Sequence, residues 1–390
     1  MESKPKPKAL IVGAGIAGLS AAWWLDKAGW TSTLIDKAPA IRDGGYMVGL
    51  TGLCINTIKE MNLDDQLGAI SYTFDENVIR DNKGKELLRV AYKDIHGELD
   101  NHSVCRDDLA RILARALPET ATIRFSETLE HALEVGDKIK ATLKSGETIK
   151  ADLLIGADGI RSSVRGMFWE DEDCLEDLNY SYAVYDVEWK KKLEAGCVSF
   201  NSPGHLDILY SPRSNQLAAL HIWRDEHTEH QDRQLRFETL RRATAGGAKL
   251  VDEVIDIAEE RGVSPVIDSL TMVSLRKWSK GRILLLGDAA HCLTLMSGQG
   301  AGMAIASAEI LGKELMATED VLEALVNHEQ KLRQPIESLQ HRSRRMAAMY
   351  IPRNRFWYWL RNLLFKITPY SWIVSYHVSG AKAEIALVSK

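Results

Sequence analysis

The sequence predicts a mixed α/β protein of two lobes: a discontinuous lobe built from strand–turn–helix units, an antiparallel sheet inserted into it, and a helical C-terminal region. Three observations lead there. A short apolar strand runs into Gly13-Ala14-Gly15-Ile16-Ala17-Gly18 near the start of the chain. The same event, a strand ending in small residues and an aspartate, returns in "ADLLIGADGIRSSVR" from Ala151 and again in "LLLGDAAHCLTLMSGQGAG" from Leu284. Between the second and third, from about Leu178 to Val273, the texture changes to alternating strands and turns such as "YSYAVYDVEW" and "QLAALHIW", the pattern of an antiparallel sheet.

Bulk properties agree. A chain of 390 residues exceeds what one hydrophobic core usually fills. With 45% hydrophobic and 26% charged residues it is ordinary for a globular protein. The net charge of −5 offers no electrostatic footprint for nucleic acid. The five cysteines are scattered with no C-x-x-C pair, so reduced thiols and no metal site are expected. No signal-like leader and no apolar run of spanning length is found, so a cytoplasmic protein without an integral membrane segment is expected.

The elements follow in order. Ala9–Val12 is continuous apolar sequence, as in a strand buried on both faces. A helix then runs to about Ala28 with Gly29 at its C-cap, and Thr31–Ile35 forms a second strand closed by Asp36. In this setting the first glycine permits the turn, the second lets backbone approach a pyrophosphate, and the third lets helix and strand pack closely. Partial positive charge and unpaired N–H groups at the helix start suit phosphates, and Asp36 can accept from a ribose diol. A dinucleotide site follows.

In the inserted sheet, a period of two puts Leu217, Ala219, His221 and Trp223 on one face of their strand and Ala218, Leu220 and Ile222 on the other. The charge-dense stretch from Asp225 to Lys249 reads as a solvated helix or loop. Past Lys331 a long basic helix is expected, broken near Pro352, then "RFWYWLRNLLFKITPYSWIVSY". That last stretch reads as a cap packed across the two lobes, and its basic-aromatic composition also suits a membrane-surface helix.

"GADGIRSSVR", with Asp158, Gly159, Ser162, Val164 and Arg165, resembles the D-G motif of the flavin-dependent aromatic hydroxylases, the class A flavoprotein monooxygenases of the p-hydroxybenzoate hydroxylase fold. "GDAAH...GQGAG" resembles their second FAD fingerprint, and the three motifs stand in the family's order from Lys8 to about Leu311. "CRDDLARIL" and "IRDGGYMVGL" resemble two shorter family segments. "TLIDKAPAIRDGG" is similar to the subgroup that inactivates tetracyclines.

The resemblance implies a Rossmann-like FAD-binding lobe over 1–75, 101–177 and 274–330, a substrate-binding β-sheet over 76–100 and 178–273, and a helical cap over 331–390. It implies FAD contacts from Gly13, Gly15, Ile16, Ala17 and Gly18, from Asp36 and Lys37, from Arg42, Gly44 and Gly45, and from Arg106. Asp158, Gly159, Asp288, Gly298, Gly300 and Ala301 complete the set, with Asp288 on the ribityl chain and the amides near Gly298 to Ala301 on phosphate and reduced ring. The implied reaction takes hydride from NADPH or NADH and delivers one oxygen atom of O₂, through a flavin C4a-hydroperoxide, to an aromatic or polycyclic small molecule. A flavin-dependent halogenase or reductase and a non-catalytic flavin-binding regulator are the alternatives; the halogenase W-x-W-x-I-P stretch is absent. A monomer or homodimer is expected. Because the cofactor carries the hard chemistry, no acid–base pair is required. The candidates to face substrate are His221, Trp223 and Tyr210, with His205. His291 reads as a residue that orders its loop. One departure stands out: relatives carry a proline shortly after the histidine of G-D-A-A-H, where this chain has Thr294 and Leu295.

Overall fold

The computed structural model describes residues 5–42, 44, 46–72, 74–96, 100–169, 173–225, 235–372 and 375. The three recurrent strands lie side by side in one six-stranded sheet. Its order runs Ser279–Lys280, Ile283–Leu285, Leu153–Gly156, Lys8–Val12, Thr31–Asp36, Ala121–Phe125. All neighbours pair in parallel except the short hairpin at the Ser279 edge. Parallel strands are buried on both faces, which is why Leu10, Ile11, Leu154, Ile155, Leu284 and Leu285 are fully enclosed. The consequence for function is directional: Gly13, Asp36, Asp158 and Asp288 all follow the carboxyl ends of strands at one edge of the sheet, where open α/β sheets bind ligands.

Helix Ile16–Lys27 covers the sheet and crosses helix Gly300–Ala317. A Cβ on Gly312 would lie 2.9 Å from Cβ of Trp24, so this crossing is as close as a glycine permits.

A second sheet of seven strands runs Val266–Val273, Leu175–Glu188, Gln216–Arg224, His205–Arg213, Gly196–Ser202, Glu76–Asp81, Glu86–Ala91. The strands at 76–91 thus join the inserted sheet across a long gap in sequence. Helices Arg236–Thr244 and Lys249–Glu260 cover one face of it. The second of these falls inside the stretch read as strand and turn. Its apolar positions Val251, Val254, Ile255 and Ala258 recur at helical spacing and are buried against Tyr185, Leu217 and Trp223.

Helix Val321–Tyr350 runs past both sheets. Gln340 Nε2 donates to Val273 O (2.8 Å) and Cys292 O (3.3 Å), Ser343 Oγ donates to Leu293 O (2.7 Å), and Ala347 packs with Tyr180, Leu206 and Ile222. It begins ten residues before the expected start, and the chain breaks after Tyr350 as Pro352 suggested. A shorter helix follows at Arg355–Ile367.

Candidate active site

The glycine turn is shaped from two sides. Gly13 has φ +106°, and a Cβ there would stand 2.4 Å from the carbonyl oxygen of Ala157 on the neighbouring motif strand. A Cβ on Gly18 would stand 1.9 Å from Gly13 O. Both glycines are demanded by the protein's own packing. Gly15 differs: none of the described residues lies within 4 Å of its Cβ position, which leaves bare backbone facing open space. Asp36 fastens the turn by accepting from Ala14 N and Ala38 N, both at 2.8 Å.

That open space is a cavity of about 770 Å³, within the roughly 300–1,000 Å³ typical of small-molecule and cofactor sites. It brings together Gly13, Gly15, Ile16, Asp36 and Lys37 of the first motif with Arg42, Gly44, Arg106, Asp158 and Gly159. Gly45 lies outside the described residues. Ala17 and Gly18 sit behind the turn and do not line the cavity; Ala17 Cβ instead packs where a Cβ on Gly287 would be, 2.8 Å away.

Asp158 reaches the cavity wall, yet its carboxylate is committed elsewhere. It accepts from Ser162 Oγ, from Ser163 N (2.6 Å) and Oγ (2.8 Å), and from Val164 N (3.3 Å), so it caps helix Ser163–Phe168. Arg165, buried in that helix, donates to Ala289 O (3.0 Å) and to Ile160 O. One guanidinium therefore ties the loop after Asp158 to the residue after Asp288. The sequence signal for Arg165 was its place in the quoted motif.

The third motif lies beside the cavity, and none of Asp288, Gly298, Gly300 and Ala301 lines it. Asp288 opens a short helix, and Gly300 faces its Oδ1 (3.9 Å from a Cβ there). Burial raises the Asp288 carboxyl above its ordinary value and the Arg106 charge pulls it part of the way back. Arg106 is solvent-accessible yet densely surrounded, as expected of a cavity wall, and its guanidinium stands 5.9 Å from the Tyr46 ring centre. It thus links the cavity to Asp288. The first amides of helix Gly300–Ala317 have no partner within the helix.

The roof comes from the second sheet. Tyr182, Val184, Tyr185 and Asp186 line the same cavity, residues the sequence reading passed over, although the alternation of "YSYAVYDVEW" places Tyr182, Val184 and Asp186 on one face. Burial, then the nearby Asp107, push the Asp186 carboxyl up to about 6 while Arg213 opposes them.

The expected substrate-facing candidates stand elsewhere. His221 and Trp223 belong to the opposite face, enclosed under helices Arg236–Thr244 and Lys249–Glu260. His221 Nδ1 and His205 Nε2 converge on Asp207 Oδ1 (2.6 and 2.7 Å), and His221 Nε2 meets the Tyr185 hydroxyl (3.0 Å). Burial pushes the Asp207 carboxyl up, but the two imidazoles outweigh it and hold it well below the usual range. Their ligand atoms are close enough together to hold a metal ion, yet hydrogen bonding within the group already accounts for the arrangement. Tyr210 is on the other face from His221, where its hydroxyl accepts from Met47 N (3.0 Å), and it does not line the cavity.

His291 is buried against Trp278, ring centres 4.9 Å apart. Burial, then His328, push it down to about 3, and burial pushes His328 down to about 4. Unfolded histidine titrates near 6.5, so below that pH the unfolded chain takes up protons that the folded chain refuses. Stability from these groups is complete above about 6.5 and falls as the pH drops toward 4. Between pH 6.5 and 5 each should cost roughly 1.5 kcal/mol. Urea unfolding of the parent and of His291→Phe across this window checks it: the variant should show the shallower loss.

Thr294, at the family's proline, has φ +65° and a buried hydroxyl with no hydrogen-bond partner among the described residues. A β-branched residue in the left-handed region is strained, and proline, fixed near −65°, cannot take that conformation.

A parallel sheet with bare backbone, a carboxylate and cations gathered at its carboxyl edge defines a dinucleotide-binding α/β fold. The family model described as "FAD binding domain" matches residues 6–325, and the chain belongs to that family. A flavin-dependent monooxygenase from an unknown prokaryotic organism is 28% identical over 339 residues, covering 85% of this chain and 87% of its own. Among solved structures, the tetracycline destructase Tet(55) aligns with TM-score 0.82 at 23% identity, covering 96% of this chain and 97% of its own. Klebsiella pneumoniae HpxO, complexed with FAD and uric acid, aligns with TM-score 0.82 at 20% identity and 97% coverage of both chains. The fold is that of the class A flavin monooxygenases, and the chain is an FAD-dependent monooxygenase.

Proposed function

We propose that this enzyme oxygenates a multi-ring phenolic or enolic small molecule, of the kind a tetracycline exemplifies, held beneath the seven-stranded sheet. One observation carries the reading: a single cavity extends from the glycine turn at Gly15 to Tyr182 and Val184 of that sheet, so cofactor and substrate share one enclosure.

The residues fit FAD. Gly15 offers backbone that a pyrophosphate can approach. Asp36, already fixed by two amides, keeps lone pairs for a ribose diol. Arg106 on the cavity wall and Asp288 beside it would offer a cation and an acceptor to a polyol and a charged ring edge, and the helix start at Gly300 would add oriented amides. Bound FAD, reduced by NADPH or NADH, supplies the activation of O₂. The protein orients substrate and excludes water, with Leu206, Ile222, Leu270 and Ile351 forming an apolar layer under the sheet. Asp186, half-protonated near pH 6, is placed to hold a proton at the wall. Reduced nicotinamide is available in the cytoplasm, where we place the enzyme; no helix among the described residues is long and apolar enough to cross a membrane.

The test is turnover. Multi-ring phenols, tetracyclines among them, are screened for stimulated NADPH oxidation with one ¹⁸O from ¹⁸O₂ appearing in the product. Stimulation by single-ring phenols alone would sink the substrate class.

A further inference from the structure

The helix Arg355–Ile367 presents its apolar side to solvent. It holds the body through Tyr358, whose hydroxyl donates to Asn201 O (2.9 Å), and through Arg361, whose guanidinium donates to Asn201 Oδ1 (2.6 Å) and Tyr350 O (3.2 Å). Helical spacing puts Tyr358, Arg361, Asn362 and Phe365 on that inner side. The opposite side therefore carries Phe356, Leu363 and Ile367, flanked by Trp359 and Leu364. They are exposed accordingly: Phe356 60%, Trp357 55%, Trp359 58%, Leu364 48% and Ile367 67%. Trp372, just beyond, is 71% exposed. Single exposed apolar residues need no explanation, but a contiguous ridge of tryptophan, phenylalanine and leucine marks a contact surface.

Charge identifies the partner. From Ser338 to Trp372 the sequence has seven Arg or Lys and not one Asp or Glu, in a chain whose net charge is −5. Arg353, Arg355 and Lys366 are exposed on or next to this helix. An aromatic and aliphatic ridge edged by cations matches the boundary of an anionic bilayer, where indole rings sit at headgroup level, aliphatic side chains enter the acyl region and cations meet phosphate. The surface is also held in place: Tyr370 donates to Asp94 Oδ2 (2.9 Å) and accepts from Ala91 N (3.1 Å), pinning the segment after the helix to the edge of the substrate sheet.

We propose that helix Arg355–Ile367 docks this enzyme in the plane of an anionic lipid bilayer, as a peripheral attachment. Thirteen residues of helix lying flat reach about 20 Å along the surface.

The FAD-loaded full chain is sedimented with vesicles of phosphatidylcholine alone and of phosphatidylcholine mixed with phosphatidylglycerol. Binding to the anionic vesicles with a blue shift of tryptophan emission, weakened by salt, is the expected result. A Trp357→Ser/Trp359→Ser variant should bind them at least about tenfold more weakly while keeping its flavin and its NADPH oxidation. An Arg353→Glu/Arg355→Glu/Lys366→Glu variant should lose the preference for anionic lipid. The proposal is overturned if the parent stays in the supernatant with both vesicle types, or if binding is indifferent to both sets of substitutions. It is equally overturned if the parent forms a dimer that the tryptophan substitutions abolish and shows no lipid binding, since a second copy would then cover the ridge.

Discussion

A Gly15→Val protein should melt where the parent apoprotein melts and yet lose at least about a hundredfold in FAD affinity, because none of the described residues comes within 4 Å of the Cβ it would add. Gly15 is in extended backbone (φ −84°, ψ −174°), which valine adopts without strain. Its neighbours behave oppositely. Gly18→Ala drives a methyl to 1.9 Å from Gly13 O, and Gly13→Ala combines a 2.4 Å approach to Ala157 O with a positive φ. Neither contact is with a flexible side chain that could swing aside, so both variants should cost roughly 3 kcal/mol or more and melt early with or without flavin. Melting curves of apo and FAD-loaded protein for the three variants separate the roles. If Gly15→Val bound FAD like the parent, the pyrophosphate would not sit on this turn.

The second large effect is expected at Arg165. Removing its guanidinium in Arg165→Met leaves the buried carbonyl of Ala289 and the half-buried carbonyl of Ile160 without their donor, at roughly 1–3 kcal/mol for the first and less for the second. Because one carbonyl belongs to the loop after Asp158 and the other adjoins Asp288, the loss should reach the cofactor as well. Arg165→Lys, able to reach one carbonyl, should recover part of both losses. Unfolding midpoints and FAD titrations on the pair of variants check this. A destabilised Arg165→Met that bound FAD as tightly as the parent would make Arg165 a packing residue alone.

Much of this was legible in the sequence because the signals were local. A strand, a glycine turn and an aspartate repeat three times, and parallel pairing then sets their ends on one edge. The contribution of Arg165 was less legible, since it depends on which carbonyls a folded loop turns inward. Asp158 shows the same limit: its motif marks the position, but only the turn geometry reveals a carboxylate capping its own helix. His221 and Trp223 illustrate a different one. A period of two sorts residues onto two faces without saying which face meets the cofactor, and here the aromatic face went under two helices, one in the charge-dense stretch read as solvated and one in sequence read as strand and turn. The C-terminal aromatics were visible as composition, whereas their outward direction required knowing that Tyr358 and Arg361 hold the inner side.

The ends of adjacent strands should hold one FAD between them. A structure of the protein loaded with FAD tests it most directly. The adenosine ribose should lie at Asp36, the pyrophosphate over Gly15 and the polyol chain between Arg106 and Asp288. A flavin bound with its polyol chain away from Asp288, or seated outside the cavity that Gly15 and Tyr182 share, would contradict it.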